Sequence, residues 1–92
     1  MTANIRHEPE SQRFVSDTAD GSAVIHYREA GGRILDFDHT FVPVALRGGG
    51  VASQLTQHAL RYAREHGFKV IASCPFVAAY IERHPEQRDL LA

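Results

Sequence analysis

Three adjacent glycines, Gly48-Gly49-Gly50, follow Arg47 and precede a segment of helical apolar spacing. In such a turn backbone amides can face an anion with no side chain in the way. A helix starting at Val51 adds the positive end of its dipole, so the natural guest of Arg47 to Ala52 is a phosphate or diphosphate. The same glycines would also serve a plain sharp turn. Two nucleotide loops do not fit. Gly48-x-Gly50 begins a dinucleotide fingerprint, but Ser53 takes the place of its third glycine, and Val70-Ile71-Ala72 stand where the ribose-binding acid belongs. No Gly-Lys-Ser/Thr follows, which removes the triphosphate loop. What remains is a diphosphate held by backbone alone.

Cys74 is the sole cysteine, so no internal disulfide and no thiolate-rich zinc site is expected. It stands where a buried strand ends and a helix begins, a place that favours a thiolate; a lone cysteine is equally a small hydrophobe. His39 lies on a strand whose apolar residues alternate. It reads either as a hydrogen-bonded core residue or as a base for Cys74 or for an incoming amine. His7, His26, His58 and His66 show no ligand spacing, and His66 is explained by its place near a helix end, so no metal is expected.

The elements that must position these residues follow from hydrophobic period. Arg13 to Ser16 and Ser22 to Glu29 are extended runs separated by turn residues and ended by Gly31-Gly32, an antiparallel pair. Arg33 to Val42 alternates, which predicts Leu35, Phe37, His39 and Phe41 on one face and Asp36, Asp38 and Thr40 on the other. Val51, Ala52, Leu55, Ala59, Tyr62 and Ala63 form a helical stripe that Gly67 stops. Lys69 to Ala72 is a short buried strand. Pro75 then opens a second helix with Phe76, Val77, Tyr80, Ile81 and His84 along one side and Pro85 near its end. The expectation is an α/β (α+β) fold of order β-β-β-α-β-α. A three-strand antiparallel meander carries a fourth strand parallel to the third through a right-handed crossover, with the helices on the sheet.

Ninety-two residues suit one domain, 1–92, with the polar stretch 1–11 as a flexible N-terminus. A net charge of −1 gives no general attraction to nucleic acid or anionic lipid. No apolar stretch is long enough for a bilayer and the first residues carry no signal-peptide core, so a cytoplasmic protein is expected.

Val42-Pro43-x-x-x-Arg47-Gly48-x-Gly50-Val51-Ala52 resembles the acetyl-CoA motif of the GCN5-related N-acetyltransferase (GNAT) superfamily. Together with His39-Thr40-Phe41-Val42-Pro43, Ser73-Cys74-Pro75-Phe76-Val77 and His84-Pro85, the chain from about Phe14 to Leu91 is similar to the very short, minimal GNAT-like acetyltransferases. The resemblance implies a truncated GNAT fold that uses acetyl-CoA or coenzyme A. The strand end at Phe41, Val42 and Val44 would pair with the pantetheine amides, and Arg47, Gly48, Gly49, Gly50, Val51 and Ala52 would wrap the pyrophosphate. Pro43, lacking an N–H, suits the break where that strand leaves its neighbour.

By the same resemblance Cys74 lies beside the reactive end of the cofactor, and Tyr80 matches the tyrosine that protonates the departing thiolate in many GNAT enzymes. Tyr80 also falls on the apolar stripe, which makes it core. The implied activity is N-acetylation of an unidentified amine, a protein lysine or N-terminus among the candidates, directly or through Cys74. The alternatives are a CoA or acyl-CoA binding module without efficient catalysis, and a purely structural domain with an empty turn. Compared with larger GNAT enzymes, no flanking elements that wall the acceptor groove are visible. Asp36 and Asp38 form a close acidic pair, but no run of acids that would choose a lysine-rich peptide is visible, which leaves the acceptor open.

Overall fold

The first half of the chain alternates apolar and polar residues and folds as antiparallel strands; the second half changes to helical period and builds the cover. The computed structural model describes residues 4–92; Met1 to Ala3, the beginning of the expected flexible N-terminus, lie outside the described residues. Strands β1 (Asn4–Glu8), β2 (Arg13–Thr18), β3 (Gly21–Glu29) and β4 (Ile34–Phe41) form an antiparallel meander. Helix α1 (Val51–Glu65) then crosses over to β5 (Lys69–Ala72), which pairs parallel with β4, and α2 (Pro75–Arg83) follows. The sheet order is β1-β2-β3-β4-β5. The β-β-β-α-β-α order read from the sequence is therefore present, with one strand added in front.

That added strand arises inside the stretch expected to be a flexible N-terminus. Ile5 and His7 alternate onto the core side, against Ser16 and Phe14 in register, while Arg6 and Glu8 turn outward and form ion pairs with Asp17 and Arg13. Ile5 is the only apolar residue of the strand, so its local sequence reads as polar. The pairing depends on the His7 ring stacking on Phe14 at 4.2 Å.

One apolar cluster holds the layers together. Phe14, Ile25, Leu35 and Phe37 of the sheet meet Leu55, Ala59 and Leu60 of α1 and Val77 and Ile81 of α2, all at most 3% exposed. Alanines at 59 and 63 let α1 approach the strands closely. The opposite face of the sheet bears the ion pairs Arg6–Asp17, Arg13–Glu8 and Arg28–Asp38. After α2 a 3-10 segment, Pro85–Leu90, is tied back by a bidentate Arg64–Asp89 pair at 2.8 and 2.9 Å. The Ala92 amide then donates to Val70 and covers the free edge of β5. Among the described residues no helix is long and apolar enough to cross a membrane.

The strand that carries the site departs from strict alternation. Register runs Glu29↔Leu35, Arg28↔Asp36, Tyr27↔Phe37, then shifts so that His26 faces His39 and Ile25 faces Thr40. An extra residue, Asp38, is thus accommodated as a β-bulge, and the phase of the side chains reverses. Leu35 and Phe37 point into the core as expected. Thr40, opposite fully buried Ile25, takes the helix-covered face instead of His39 and Phe41, which correct the sequence expectation by lying on the other side.

Candidate active site

Beyond Phe37, β4 loses its parallel neighbour. The last paired residues are Phe37 and Ala72, and the Cys74 amide closes the ladder on the Phe37 carbonyl at 2.8 Å. Pro75 then starts α2, so the chain of β5 turns away and β4 runs on with a free edge. Pro43 and a 3-10 turn, Val44–Leu46, carry β4 into the glycine loop and the start of α1. A cavity of about 750 Å³ fills the gap between these parts. Thr40 and Cys74 line it at the point of divergence, Val42 and Phe76 along its sides, and Gly48, Gly50, Ala52 and Ser53 at the loop.

Gly48 and Gly50 have φ of 83° and 84°, the left-handed region that glycine enters without strain. A Cβ placed on either would meet nothing within 4 Å. The loop therefore borders open space that a side chain would occupy. No side chain caps α1, and among the described residues the amides of Gly50, Val51, Ala52 and Ser53 donate to no group of the chain. These unpaired donors at the positive end of a fifteen-residue helix fit a diphosphate. Arg47 turns its side chain back, Nε donating to the Val42 carbonyl at 3.2 Å, and so ties the loop to the end of β4.

Cys74 is 5% exposed and is the N-cap residue of α2, as its place between strand and helix implied. Its Sγ lies 3.2 Å from the Thr40 hydroxyl. His39 contributes to the cavity wall, yet its ring stands 5.9 Å from that of its cross-strand neighbour His26, and it makes no hydrogen bond to Cys74. Tyr80 does not line the cavity. It is 5% exposed, its ring stacks on His84 at 4.0 Å, and burial, followed by the nearby Glu86, pushes its phenol up.

Of the other residues expected to bind cofactor, Val42, Arg47, Gly48, Gly50 and Ala52 line the cavity, whereas Phe41, Val44, Gly49 and Val51 do not. Phe41 and Val44 are 51% and 76% exposed. Sequence reasoning did not single out Thr40 or Ser53. Thr40 needed the bulge to be known. Ser53 could have been found as one of the residues whose amide opens the helix.

A splayed parallel pair with a glycine loop at the mouth and a mixed sheet under two helices defines an acetyltransferase-type fold. The chain belongs to the GCN5-related N-acetyl-transferase family, whose model matches residues 13–90. It is 38% identical over 63 residues to protein NATD1 of Gallus gallus and of Mus musculus, a match covering 68% of this chain and 57% of each relative. The chain thus spans little more than half the length of these curated relatives. With NATD1 of Danio rerio the identity is 28% over 89 residues, covering 94% of this chain and 80% of the relative. Among solved structures, the NMR solution structure of a GCN5-like protein from Staphylococcus aureus superposes with a TM-score of 0.77 at 29% identity, covering 98% of this chain and 88% of that one.

Proposed function

We propose that the chain acts as one acetyl-CoA-dependent N-acetyltransferase domain whose acceptor is an amine, a protein lysine or N-terminus being the candidates. The observation that carries this reading is the single cavity joining the unpaired amides of the glycine loop, the free edge of β4 and the Cys74 sulfur. Gly48, Gly50, Val51 and Ala52 hold the diphosphate through backbone, and the backbone around Phe41, Val42 and Val44 lies along the pantetheine. Acetyl-CoA supplies the acetyl thioester.

In the covalent route, Cys74 Sγ bonds to the acetyl carbon, the old carbon–sulfur bond breaks, and the thiol proton passes to the departing sulfur. An amine then takes the acetyl group and returns the proton to Cys74. In the direct route the amine attacks the thioester itself, with His39 on the cavity wall accepting its proton. Tyr80, outside the cavity, is assigned a core role in both. A cytoplasmic setting suits the thiol, which stays reduced there.

Calorimetry and thermal shift against coenzyme A, acetyl-CoA, NAD and ATP test the cradle. Coenzyme A and acetyl-CoA are expected to raise the melting temperature, because a ligand selective for the folded state stabilises it by mass action. No shift well above micromolar ligand removes the assignment. Acetyl-CoA without acceptor is expected to leave one hydroxylamine-labile acetyl group on Cys74. Normal acceptor acetylation by Cys74→Ala would select the direct route, and tight binding with neither acetyl-cysteine nor acceptor would leave a binding module.

A further inference from the structure

We propose that Thr40 is a positioning residue for Cys74, its hydroxyl donating to the sulfur once the thiol has lost its proton and so holding the thiolate toward the cavity. The inference rests on the reading of Cys74 as the group that meets the thioester, and adds the group that prepares it.

The geometry comes from the bulge. Regular alternation through β4 would place His39 beside the helices and Thr40 on the far face; the register shift between His26 and Tyr27 exchanges them. Thr40 Oγ1 then stands 3.2 Å from Cys74 Sγ at the point where β4 and β5 part, and both residues line the cavity. Either atom can donate in the neutral pair, but an anionic sulfur can only accept, which orients the hydroxyl proton toward it.

Burial makes the partner matter. Cys74 is 5% exposed, so water supplies little of the hydrogen bonding that a thiolate loses on leaving bulk solvent. Pro75, immediately after it, has no N–H to offer. Among the described residues no other side chain is hydrogen-bonded to this sulfur. The β-branched threonine also has few χ1 choices, so its hydroxyl is held in place at little entropic cost. The titratable or charged side chains on the cavity wall are Asp38, His39 and Arg47. Asp38 is paired with Arg28 at 3.1 Å, Arg47 is turned to Val42, and His39 stands by His26.

The test is the rate of iodoacetamide alkylation of Cys74 against pH, in the absence of coenzyme A, for the parent chain, Thr40→Val, Thr40→Ala and Thr40→Ser. Loss of one hydrogen bond to a charged atom is expected to slow alkylation about tenfold at pH 7 in the Val and Ala variants and to move their profiles to higher pH. Thr40→Ser is expected to stay within about twofold of the parent, a rescue that a packing role of the methyl group would not give. Circular dichroism melts establish which variants are folded, and Ala and Ser bracket the hydroxyl if Val is not.

Equal profiles in all folded variants overturn the proposal, as does a Ser variant that behaves like Ala. A slowing in His39→Ala with none in Thr40→Ala also overturns it, by assigning the sulfur to the imidazole. Thr40-dependent alkylation in a parent chain that takes no acetyl group from acetyl-CoA upholds Thr40 and sinks the acetyl-carrier reading. Acetylation at the same rate with and without the hydroxyl, alongside equal alkylation, does the reverse.

Discussion

Gly48 and Gly50 occupy the left-handed region, while Gly49 between them does not. A residue with a Cβ costs roughly 1–2 kcal/mol in that conformation, so the three glycines are not equivalent. Gly50→Val is expected to lower stability by about that amount in urea melts and to abolish the thermal shift with coenzyme A, since the new side chain enters the open space proposed for the diphosphate. Gly49→Ala places its Cβ 3.6 Å from the Leu46 carbonyl oxygen, an ordinary contact, and is expected to keep both stability and shift. Binding by a folded Gly50→Val protein would show that the loop does not hold the diphosphate. Arg47→Ala removes one exposed hydrogen bond to Val42 and is expected to keep most of the shift, because the proposed cradle consists of backbone amides.

At the level of elements, α1 holds the loop to the sheet, and fully buried Leu55 is the residue of its second turn that anchors it. Leu55→Ala is expected to cost about 2–5 kcal/mol through lost burial and the cavity left behind. Coenzyme A at a hundredfold its Kd should return about 2.7 kcal/mol of that by mass action, read from urea melts with and without ligand. Ligand that stabilises the parent but not this variant would mean that α1 does not carry the site.

The two helices and β5 were legible because their signals are local. Leu55, Ala59 and Ala63 recur at helical spacing, Gly67 ends the first helix, and Pro75 opens the second. The glycine loop was legible for the same reason. β1 was not, since one isoleucine among polar residues becomes a strand only when Phe14 and Tyr62 supply surfaces for His7. Nor was the far half of β4. Alternation predicts faces correctly up to Phe37 and wrongly after Asp38, because a bulge is decided by pairing with β3 rather than by residue type, and the partner of Cys74 changes with it.

The whole molecule is a sheet with helices on one face and charged pairs on the other, and its β1 edge is fastened by a cluster of titratable rings. His7 shares a 2.6 Å hydrogen bond with the Tyr27 hydroxyl and meets the edge of Tyr62 at 4.5 Å; Tyr62 in turn stacks on His66 at 4.1 Å, and His58 lies against Phe14. Burial first, then the neighbouring His58 and His66, lowers the folded-state pKa of His7 below its ordinary 6.5. Below pH 6.5 the unfolded chain therefore takes up a proton that the folded chain refuses. Stability present above 6.5 is lost as pH falls toward the folded value. Glu8 and Asp89, held low by hydrogen bonds from arginines, lose their contributions only below their ordinary 4.5 and 3.8, outside the interval in which His7 first acts. On the alkaline side burial pushes Tyr27 up to about 12 from 10.0, so the stability it provides is complete below 10 and disappears as pH rises toward 12. The melting temperature is expected to fall between pH 7 and pH 5 in the parent chain and to fall less steeply in His7→Phe. That variant should start lower at pH 8, by about 1–3 kcal/mol, because the Tyr27 hydroxyl loses its partner. An acid slope as steep in His7→Phe as in the parent would move the titrating group elsewhere and leave β1 held by its ladder and ion pairs alone.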